Sequence, residues 1–292
     1  MNRIKTRERL DRFGIKPNRR LGQNFLIDEN IAADIAALCT AGTGDLVVEI
    51  GPGLGALTIR LAERAGRVLT VEIDRALIPA LRETLQGVDN VTLVRADFME
   101  FDLAEGIAAA VPELPGFRIH VAANVPYYIT TPILRKLLIC LPECSSMVFL
   151  LQKEAAARLT APPGSGSYGP VAVCLEAFFN VRSAFRVPPH AFHPQPGVDS
   201  MVVQAVRKPA ASLPEGLNPS DLLTLADAAF AHRRKRLYNS LAASGYLDER
   251  RIADWNRIEA ALGMPDALRA EEMTAEDFVR LYHALEHSGD GR

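Results

Sequence analysis

The tetrapeptide Asn124-Val-Pro-Tyr127 combines residue types that could activate the exocyclic amino group of adenine. That amine is a poor nucleophile because its lone pair is delocalised into the ring. The side-chain oxygen of Asn124 and the backbone carbonyl of Val125 or Pro126 can each accept one N–H bond, which draws the nitrogen towards tetrahedral geometry. Pro126 fixes the backbone in advance, and Tyr127 offers a ring for a base that has left its stack. In isolation, the same four residues also fit an ordinary polar turn.

A glycine-rich segment, Glu49-Ile-Gly-Pro-Gly-Leu-Gly55, predicts a nucleoside-binding turn. Gly51, Gly53 and Gly55 allow a tight turn and a close approach to a ligand, because no Cβ stands in the way. Gly51, Gly53 and Ala56 also satisfy the dinucleotide pattern, so a nicotinamide cofactor is one alternative. Glycine at every second position widens the turn, which favours S-adenosylmethionine over a pyrophosphate. A chance glycine turn in another α/β protein is the second alternative.

Acidic residues end the next two predicted strands. Glu72 follows the glycines by about 20 residues, where a carboxylate can accept hydrogen bonds from both ribose hydroxyls. Ile73 beside it is assigned to the same site. Asp97 and Phe98 end the third strand, and they suit the amino group and the ring face of an adenine. Together with the glycine turn, these positions predict binding of S-adenosylmethionine.

Short β-branched runs alternate with amphipathic stretches over the first two-thirds of the chain. The predicted strands are Leu46–Ile50, Val68–Ile73, Val91–Arg95, Arg118–Ala123 and Met147–Leu151, and the predicted helices are Leu54–Arg64, Leu77–Leu85 and one that begins at Thr130 or Thr131. Such alternation is typical of right-handed βαβ units. The fold class is therefore α/β, with a doubly wound, mostly parallel, seven-stranded Rossmann-like sheet. The carboxyl ends of its strands would bring the polar motifs together at one edge.

The pattern changes after the fifth strand. Val171–Phe179 and Met201–Val206 are interpreted as strands of an antiparallel hairpin at one edge of the sheet. Arg207–Ser220 has the composition of a linker, and Asp221–His287 has helical periodicity. We therefore predict a methyltransferase domain over residues 1–208, with a basic N-terminal arm over 1–20, and a small all-α domain over 209–292.

Positive charge is concentrated locally, although the net charge of the chain is only −2. The first twenty residues are rich in arginine and lysine, and a second basic cluster contains Arg233, Arg234, Lys235 and Arg236. Local basic patches on a nearly neutral protein suit contact with a phosphate backbone. The cluster at 233–236 is the predicted RNA-binding segment. Solvated helix faces are the simpler alternative for both patches.

Several classes of protein are disfavoured. The first ten residues have no apolar core of a secretory signal, and no stretch approaches the ~20 apolar residues of a membrane span. The four cysteines form no Cys-X-X-Cys pair, which favours buried free thiols in a reducing compartment over disulfides or zinc. A cytoplasmic protein without a metal site or a membrane contact is expected.

Five segments together resemble the ribosomal RNA adenine dimethyltransferases. They are Leu21–Leu26, Val48–Leu54, Asn124–Pro132, Phe192–Val198 and Phe230–Leu241. The resemblance extends over nearly the whole chain. It implies that Gln23, Asn24 and Leu26 cover the cofactor, and that Gly51 contacts its methionine part, Glu72 its ribose and Asp97 its adenine. It further implies that Asn124 lies between cofactor and substrate while Tyr127 and Phe192 sandwich the target base.

The resemblance also implies a substrate. Its small-subunit members dimethylate two adjacent adenosines in the 3′-terminal hairpin of small-subunit rRNA, late in subunit biogenesis, and we expect a monomer of this kind. The alternatives are a large-subunit rRNA adenine methyltransferase of the macrolide-resistance type and a ribosome-assembly or transcription factor with secondary methylation. The basic cluster and the C-terminal Arg269–Phe278 segment argue against the large-subunit type.

Overall fold

A computed structural model describes residues 3–111, 116–125, 129–265 and 267–287. The chain divides into two compact units. The first comprises Met1–Ala156 and Arg182–Arg207, and the second comprises Ala157–Val181 and Lys208–Arg292. Residues 157–181 therefore belong to the same unit as the C-terminal part of the chain. The chain passes from one unit to the other at three positions, and the predicted boundary near residue 208 coincides with the last of them. The functional division of the chain at that point stays a prediction.

The first unit contains a seven-stranded, mostly parallel sheet, which confirms the predicted fold class. Its strands are β2 (Leu46–Ile50), β3 (Arg67–Glu72), β4 (Val91–Arg95), β5 (Ile119–Asn124), β6 (Ser146–Gln152), β7 (Phe179–Val187, from Arg182 onward in this unit) and β9 (Ser200–Arg207). Their order is β4-β3-β2-β5-β6-β9-β7. The first five are parallel neighbours, and β9 is antiparallel to β6. The chain order reverses between β2 and β5, which is where ligands bind in open α/β sheets.

Helices of the first unit connect the strands. They are α1 (Arg3–Arg12), α2 (Glu29–Leu38), α3 (Ala56–Ala62), α4 (Ile78–Thr84), α5 (Leu103–Ala110), α6 (Thr130–Cys140) and the start of α7 (Lys153–Leu159). Local sequence explains several helix starts. Asp28 caps α2 by accepting hydrogen bonds from the backbone N–H of Asn30 and Ile31, and Asp102 caps α5. Every residue of β2 is buried, as expected for a central parallel strand covered on both faces.

The structure also contains a two-stranded sheet that the hydrophobic periodicity of the sequence did not predict. It pairs β1 (Phe25–Leu26) with β8 (Phe192–His193), and Leu26 lies opposite Phe192. Two segments that are far apart in the chain are thereby held side by side. This pairing brings the N-terminal segment to the part of the chain that contains Phe192.

The prediction of a strand over Val171–Phe179 is wrong. The segment forms helix α8 (Pro170–Phe178), and the strand that was missed, β7, follows directly. Nearly every residue of α8 is buried, so the helix carries no polar face that would reveal its period. Gly169 followed by Pro170 was the available signal, since proline is favoured in the first turn of a helix.

The second unit is helical. Besides α8 it contains α9 (Pro219–Phe230), α10 (Leu237–Ala243), α11 (Glu249–Leu262) and α12 (Ala275–His287). Its core includes Leu222, Leu225, Leu241 and Phe278, all of them buried. Within the described residues, no helix is long and apolar enough to cross a membrane.

The cysteines are free thiols, as expected from their spacing. Cys39, Cys144 and Cys174 are buried. Cys140 is exposed, contrary to the expectation, because it lies on the outer face of α6.

Candidate active site

A cavity of about 280 Å³ lies at the carboxyl ends of the parallel strands in the first unit. It brings together most of the residues that the sequence analysis selected. These are Gln23, Asn24, Leu26, Gly51, Gly53, Glu72, Ile73, Asp97, Phe98, Asn124 and Phe192. Pro126 and Tyr127 lie outside the described residues. One cavity therefore contains both the predicted cofactor positions and the predicted base positions.

The glycine turn between β2 and α3 requires its glycines. Gly51 and Gly53 have φ angles of +68° and +60°, which side chains with a Cβ rarely adopt. A Cβ added to Gly53 would meet the Phe25 ring at 3.1 Å, and one on Gly51 would lie 4.0 Å from the carbonyl oxygen of Asn124. The turn thus runs close to the N-terminal segment and close to the carboxyl end of β5.

Glu72, at the end of β3, is held by two backbone N–H groups. Gly53 donates to its Oε2 at 3.1 Å, and Asp74 donates to its Oε1 at 2.8 Å. The residue is 4% exposed, and burial raises the pKa of its carboxyl group to about 7 despite these hydrogen bonds. Its position therefore depends on the glycine turn, and its negative charge is costly unless a ligand compensates it.

Glu49 is a site residue that the sequence analysis did not select. It lines the cavity from β2 and is 1% exposed, and its Oε2 has no hydrogen-bond partner within the described residues. Burial raises its pKa to about 7 although the hydroxyl groups of Thr58 and Thr70 act to lower it, and the charge of Glu72 adds to the increase. A glutamate inside an otherwise apolar, central strand was the signal that could have identified it.

Asp97 and Phe98 form the next wall of the cavity, after β4. The Asp97 carboxylate accepts the N–H of Met99 at 2.8 Å, which closes a short turn. Phe98 is buried, whereas Ile73 is 48% exposed although it lines the cavity. An aromatic ring and an uncovered aliphatic side chain on one wall suit the faces of a planar base.

Asn124 ends β5, opposite Leu150 of β6. Its Nδ2 donates to the backbone oxygen of Asn24 at 3.1 Å, so its Oδ1 is left as the acceptor that the predicted chemistry requires. The neighbouring Val125 donates its backbone N–H to Leu150 at 3.2 Å, which anchors the chain directly after β5. The side-chain amide of Asn124 is thus held by Asn24, and the backbone that follows it is held by Leu150.

Gln23 links the N-terminal segment to the turn that follows β3. Its Nε2 donates to Asp74 at 2.7 Å, and its Oε1 accepts the N–H of Asn18 at 2.7 Å. Both ends of the side-chain amide are engaged within the protein. Gln23 therefore supports the cavity wall that also includes Asn24 and Leu26.

Phe192 lies 2% exposed beside Leu26 and lines the same cavity. The sandwich that it would form with Tyr127 stays a prediction. Gln152 and Ser200, which pair across β6 and β9, also line the cavity and were not selected. No local sequence signal identifies them, because they become neighbours only through an antiparallel pairing of distant strands.

The predicted RNA-binding residues lie in the second unit, in the turns between α9 and α10 rather than on a helix. Arg233 is tied to the protein, since it pairs with Glu271 at 2.9 Å and donates to the backbone oxygen of Ser165 at 3.2 Å. Arg234, Lys235 and Arg236 are exposed, and they make no ion pair within the described part of the chain. These three cations are available to a ligand, whereas Arg233 holds the local structure.

Some of the basic residues of the N-terminal arm contact the rest of the protein. Arg9 donates to the backbone oxygen of Ala80 at 2.8 Å, and both Arg9 and Arg12 lie near Glu83 of α4. The arm is therefore anchored to the first unit through part of its positive charge.

Comparison with known proteins gives a consistent result over nearly the full length. The model of the family described as ribosomal RNA adenine dimethylase matches residues 14–286. Ribosomal RNA small subunit methyltransferase A from Pelotomaculum thermopropionicum is 42% identical over 286 residues, which are 97% of this chain and 96% of that protein. The protein of the same name from Ligilactobacillus salivarius is 39% identical, with 99% of this chain and 96% of that protein covered.

Solved structures show the same fold. A dimethyladenosine transferase from Plasmodium falciparum superposes with a TM-score of 0.74 at 24% identity, with 91% of this chain and 98% of that chain covered. The 23S rRNA methyltransferase ErmE superposes with a TM-score of 0.63 at 27% identity, with 90% of this chain and all of that chain covered.

Proposed function

Because the chain belongs to the ribosomal RNA adenine dimethylase family, we propose that it dimethylates two adjacent adenosines in the 3′-terminal hairpin of small-subunit rRNA, late in subunit biogenesis. The enzyme class is that of an S-adenosylmethionine-dependent rRNA adenine dimethyltransferase. The observation that carries the residue assignment is the single cavity in which the glycine turn, three carboxylates and Asn124 meet.

The residues of the cavity fit a cofactor that carries positive charge. Glu49 and Glu72 are buried carboxylates with raised pKa values, and Oε2 of Glu49 has no hydrogen-bond partner among the described residues. A cationic ligand would compensate this buried charge. In our proposal Gly51 and Gly53 approach the cofactor, Glu72 takes the ribose, and Asp97 with Phe98 and Ile73 takes the adenine. Gln23, Asn24 and Leu26 cover it.

S-adenosylmethionine supplies a methyl group that its sulfonium makes electrophilic, so the protein mainly has to orient and desolvate the amine. We assign that task to Asn124. Its Oδ1 accepts one N–H of the adenine amine, and a backbone carbonyl of Val125 or Pro126 accepts the other. These bonds localise the nitrogen lone pair. The amine proton becomes acidic once the nitrogen carries positive charge, so no strong general base is required.

Base stacking is assigned to Phe192 and Tyr127. Phe192 offers a rigid face because it is buried and held by the β1–β8 pairing. A flipped adenine held between two rings has a fixed orientation, so its amine can be presented to Asn124.

RNA binding is assigned to the exposed cations Arg234, Lys235 and Arg236, while Arg233 supports the turn that presents them. In this proposal, residues 1–208 perform the chemistry, and residues 209–292 bind rRNA phosphates and select the adenosines. The partner is the assembling small ribosomal subunit in the cytoplasm, and the enzyme acts as a monomer.

The proposal is tested by transfer of radiolabelled methyl groups from S-adenosylmethionine to purified, unmethylated small and large ribosomal subunits. Wild type and Asn124→Ala are compared, with the exposed Asn30→Ala as a control that leaves the cavity unchanged. We expect label in small-subunit RNA that digests to dimethyladenosine, and its loss in Asn124→Ala alone.

Two other results contradict the proposal. Label confined to large-subunit RNA would assign the chain to the type represented by 23S rRNA methyltransferases. Absence of label from both subunits, with cofactor binding intact, would favour an assembly or transcription factor. Separate growth and subunit-assembly measurements on an Asn124→Ala strain and a deletion strain would then separate binding from catalysis.

A further inference from the structure

The ammonium group of Lys136, on α6, binds three backbone carbonyls of one loop. Its Nζ donates to the oxygens of Phe98, Met99 and Phe101 at 2.7, 3.0 and 2.6 Å. A lysine ammonium carries three N–H donors, so all of them are used. Nζ also lies 5.3 Å from the centre of the Phe98 ring, within the range of a cation–π contact. Lys136 therefore holds both the backbone and the ring of Phe98.

The loop in question carries the residues that our proposal assigns to the adenine of the cofactor. Asp97 lies at its start and closes it, because the Asp97 carboxylate accepts the N–H of Met99 while its backbone oxygen accepts the N–H of Phe101 at 2.9 Å. Carbonyl oxygens that converge on one point repel one another unless a donor lies between them. Removing the ammonium would leave these dipoles uncompensated, and the loop would relax.

The helix that provides Lys136 also belongs to the cavity. Ile129 precedes α6 and lines the cavity, as does Ile133, which is buried one helical turn before Lys136. The buried face of α6 thus fixes the position of the lysine relative to the cavity wall. Lys136 transmits that position to the loop through three hydrogen bonds.

We propose that Lys136 is a positioning residue that holds the Asp97–Phe101 loop in the conformation that recognises adenine, and that it thereby determines the base specificity of the cofactor site. The inference rests on the proposed assignment of Asp97 and Phe98 to the adenine moiety. Lys136 itself need not touch the cofactor.

Adenine and hypoxanthine provide the contrast that tests this role. Adenine presents an amino group that donates to a carboxylate, whereas hypoxanthine presents a carbonyl oxygen at the same position. A carboxylate held in place accepts from the first and is unpaired or repelled by the second. A loop that is free to move would lose the hydrogen bond to adenine and would also avoid the repulsion by hypoxanthine. The ratio of the affinities for the two bases would therefore become smaller.

The experiment measures dissociation constants by calorimetry for S-adenosylhomocysteine and S-inosylhomocysteine. Wild type is compared with Lys136→Met and Lys136→Gln, and with Arg82→Met as a control for an exposed cation on another helix. We expect wild type and Arg82→Met to prefer the adenosyl ligand by roughly tenfold or more. In both Lys136 variants the preference should fall several-fold, mainly through weaker adenosyl binding.

The ratio of the two dissociation constants separates a specific role from a general loss of stability, since both constants are measured on the same preparation. An unchanged ratio in both Lys136 variants, with both ligands weakened equally, would overturn the inference and leave the adenine assignment standing. Equal affinity of wild type for the two ligands would instead overturn the adenine assignment, and the inference with it. Lys136→Arg, which keeps a cation and its donors, should recover part of the preference.

Discussion

Buried carboxyl groups at the two ends of the parallel strands have pKa values that are shifted in opposite directions. We call the side of the sheet where these strands end its carboxyl edge, and the side where they begin its amino edge. At the carboxyl edge, burial raises the pKa values of Glu49 and Glu72 to about 7. At the amino edge, burial also acts to raise the pKa of Asp45, but hydrogen bonds from Arg118 and Gly42 outweigh it and lower the pKa to about 2. Hydrogen bonds within the protein outweigh the effect of burial on Asp45, whereas burial outweighs the hydrogen bonds at Glu49 and Glu72. In our proposal, this difference separates the edge that binds the cofactor from an edge with a structural role.

The amino edge contains an arrangement that could be mistaken for a catalytic triad. Nδ1 of His120 lies 2.7 Å from Oγ of Ser146, and its Nε2 lies 3.5 Å from a carboxylate oxygen of Asp45. Ser146 is fully buried and donates its hydroxyl proton to the backbone oxygen of Cys39. The hydroxyl thus has a structural acceptor and no access to a substrate, so this network stabilises the fold.

The largest expected effect is on activity at the carboxyl edge. Asn124→Ala removes the acceptor that we propose for the adenine amine, and we expect the rate of methyl transfer to fall by about 10²–10³-fold. Initial rates on unmethylated small subunits measure this effect. Unfolding in urea should show a change in stability of less than about 1 kcal/mol. A large loss of stability with an unchanged rate per folded molecule would contradict the contrast between the edges.

Substitution at the amino edge should lower the stability of the fold and leave ligand binding nearly unchanged. Asp45→Asn weakens the hydrogen bonds that the buried Asp45 carboxylate accepts from Arg118 and Gly42, which are 2.8–3.0 Å long. We expect a loss of about 1–3 kcal/mol in the free energy of unfolding, measured in urea. The dissociation constant for S-adenosylhomocysteine should stay within about twofold of wild type. The exposed Asp34→Asn serves as the control for loss of a charge.

The two edges should also respond to pH in opposite directions. Glu49 has a folded-state pKa raised from 4.5 to about 7, so the folded protein binds more protons than the unfolded chain in that window. Its contribution to stability is therefore favourable only at low pH and is lost as the pH rises from about 4.5 to 7. In the ligand-free protein, Glu49→Gln should gain stability relative to wild type across this range. Urea unfolding at several pH values measures the gain, and a gain that is independent of pH would contradict it.

The titration of His120 makes the stability of the folded protein change with pH in the opposite direction. Burial is the largest cause that lowers its pKa, so below an unfolded value of about 6.5 the unfolded chain binds more protons than the folded one. Stability should fall as the pH drops through this value. The loss should be smaller in His120→Gln, in the same series of unfolding experiments.

The smallest effect concerns Ser146. Ser146→Ala removes the hydroxyl that links His120 to the backbone of Cys39, and we expect a loss of about 1 kcal/mol in stability. Methyl transfer should be unchanged, because the hydroxyl is remote from the cavity lining. Loss of activity at preserved stability would show that the amino edge takes part in function after all.

Much of the carboxyl edge could be predicted from the sequence. Gly51, Glu72, Asp97 and Asn124 each lie at or just after the end of a recognisable strand, and parallel strands bring their carboxyl ends to one edge. Glu49 was missed although it is a charged residue within a buried strand, because its burial depends on the neighbouring strands β3 and β5. Phe192 was found only through family resemblance, since its place depends on the pairing with Leu26.

The remaining errors have the same physical origin. The segment at 170–178 was assigned to a strand because a helix buried on all sides shows no amphipathic period. The residues at 233–236 were treated as equivalent cations, although Arg233 is held by Glu271 from a distant part of the second unit. Local pattern gives neither the burial of a whole element nor the partner of a particular charge.

The sequence by itself determined the parallel α/β architecture, the glycine turn and the polar residues at successive strand ends, because hydrophobic period and the succession of strands and helices are local properties of the chain. The tertiary structure alone decided which carboxylates are compensated. Arg118 reaches Asp45 across 73 residues, Lys136 reaches Met99 across 37, and Oε2 of Glu49 is reached by no donor among the described residues. Such partnerships depend on contacts between distant segments, and they set the pKa values and the positions on which the chemistry depends.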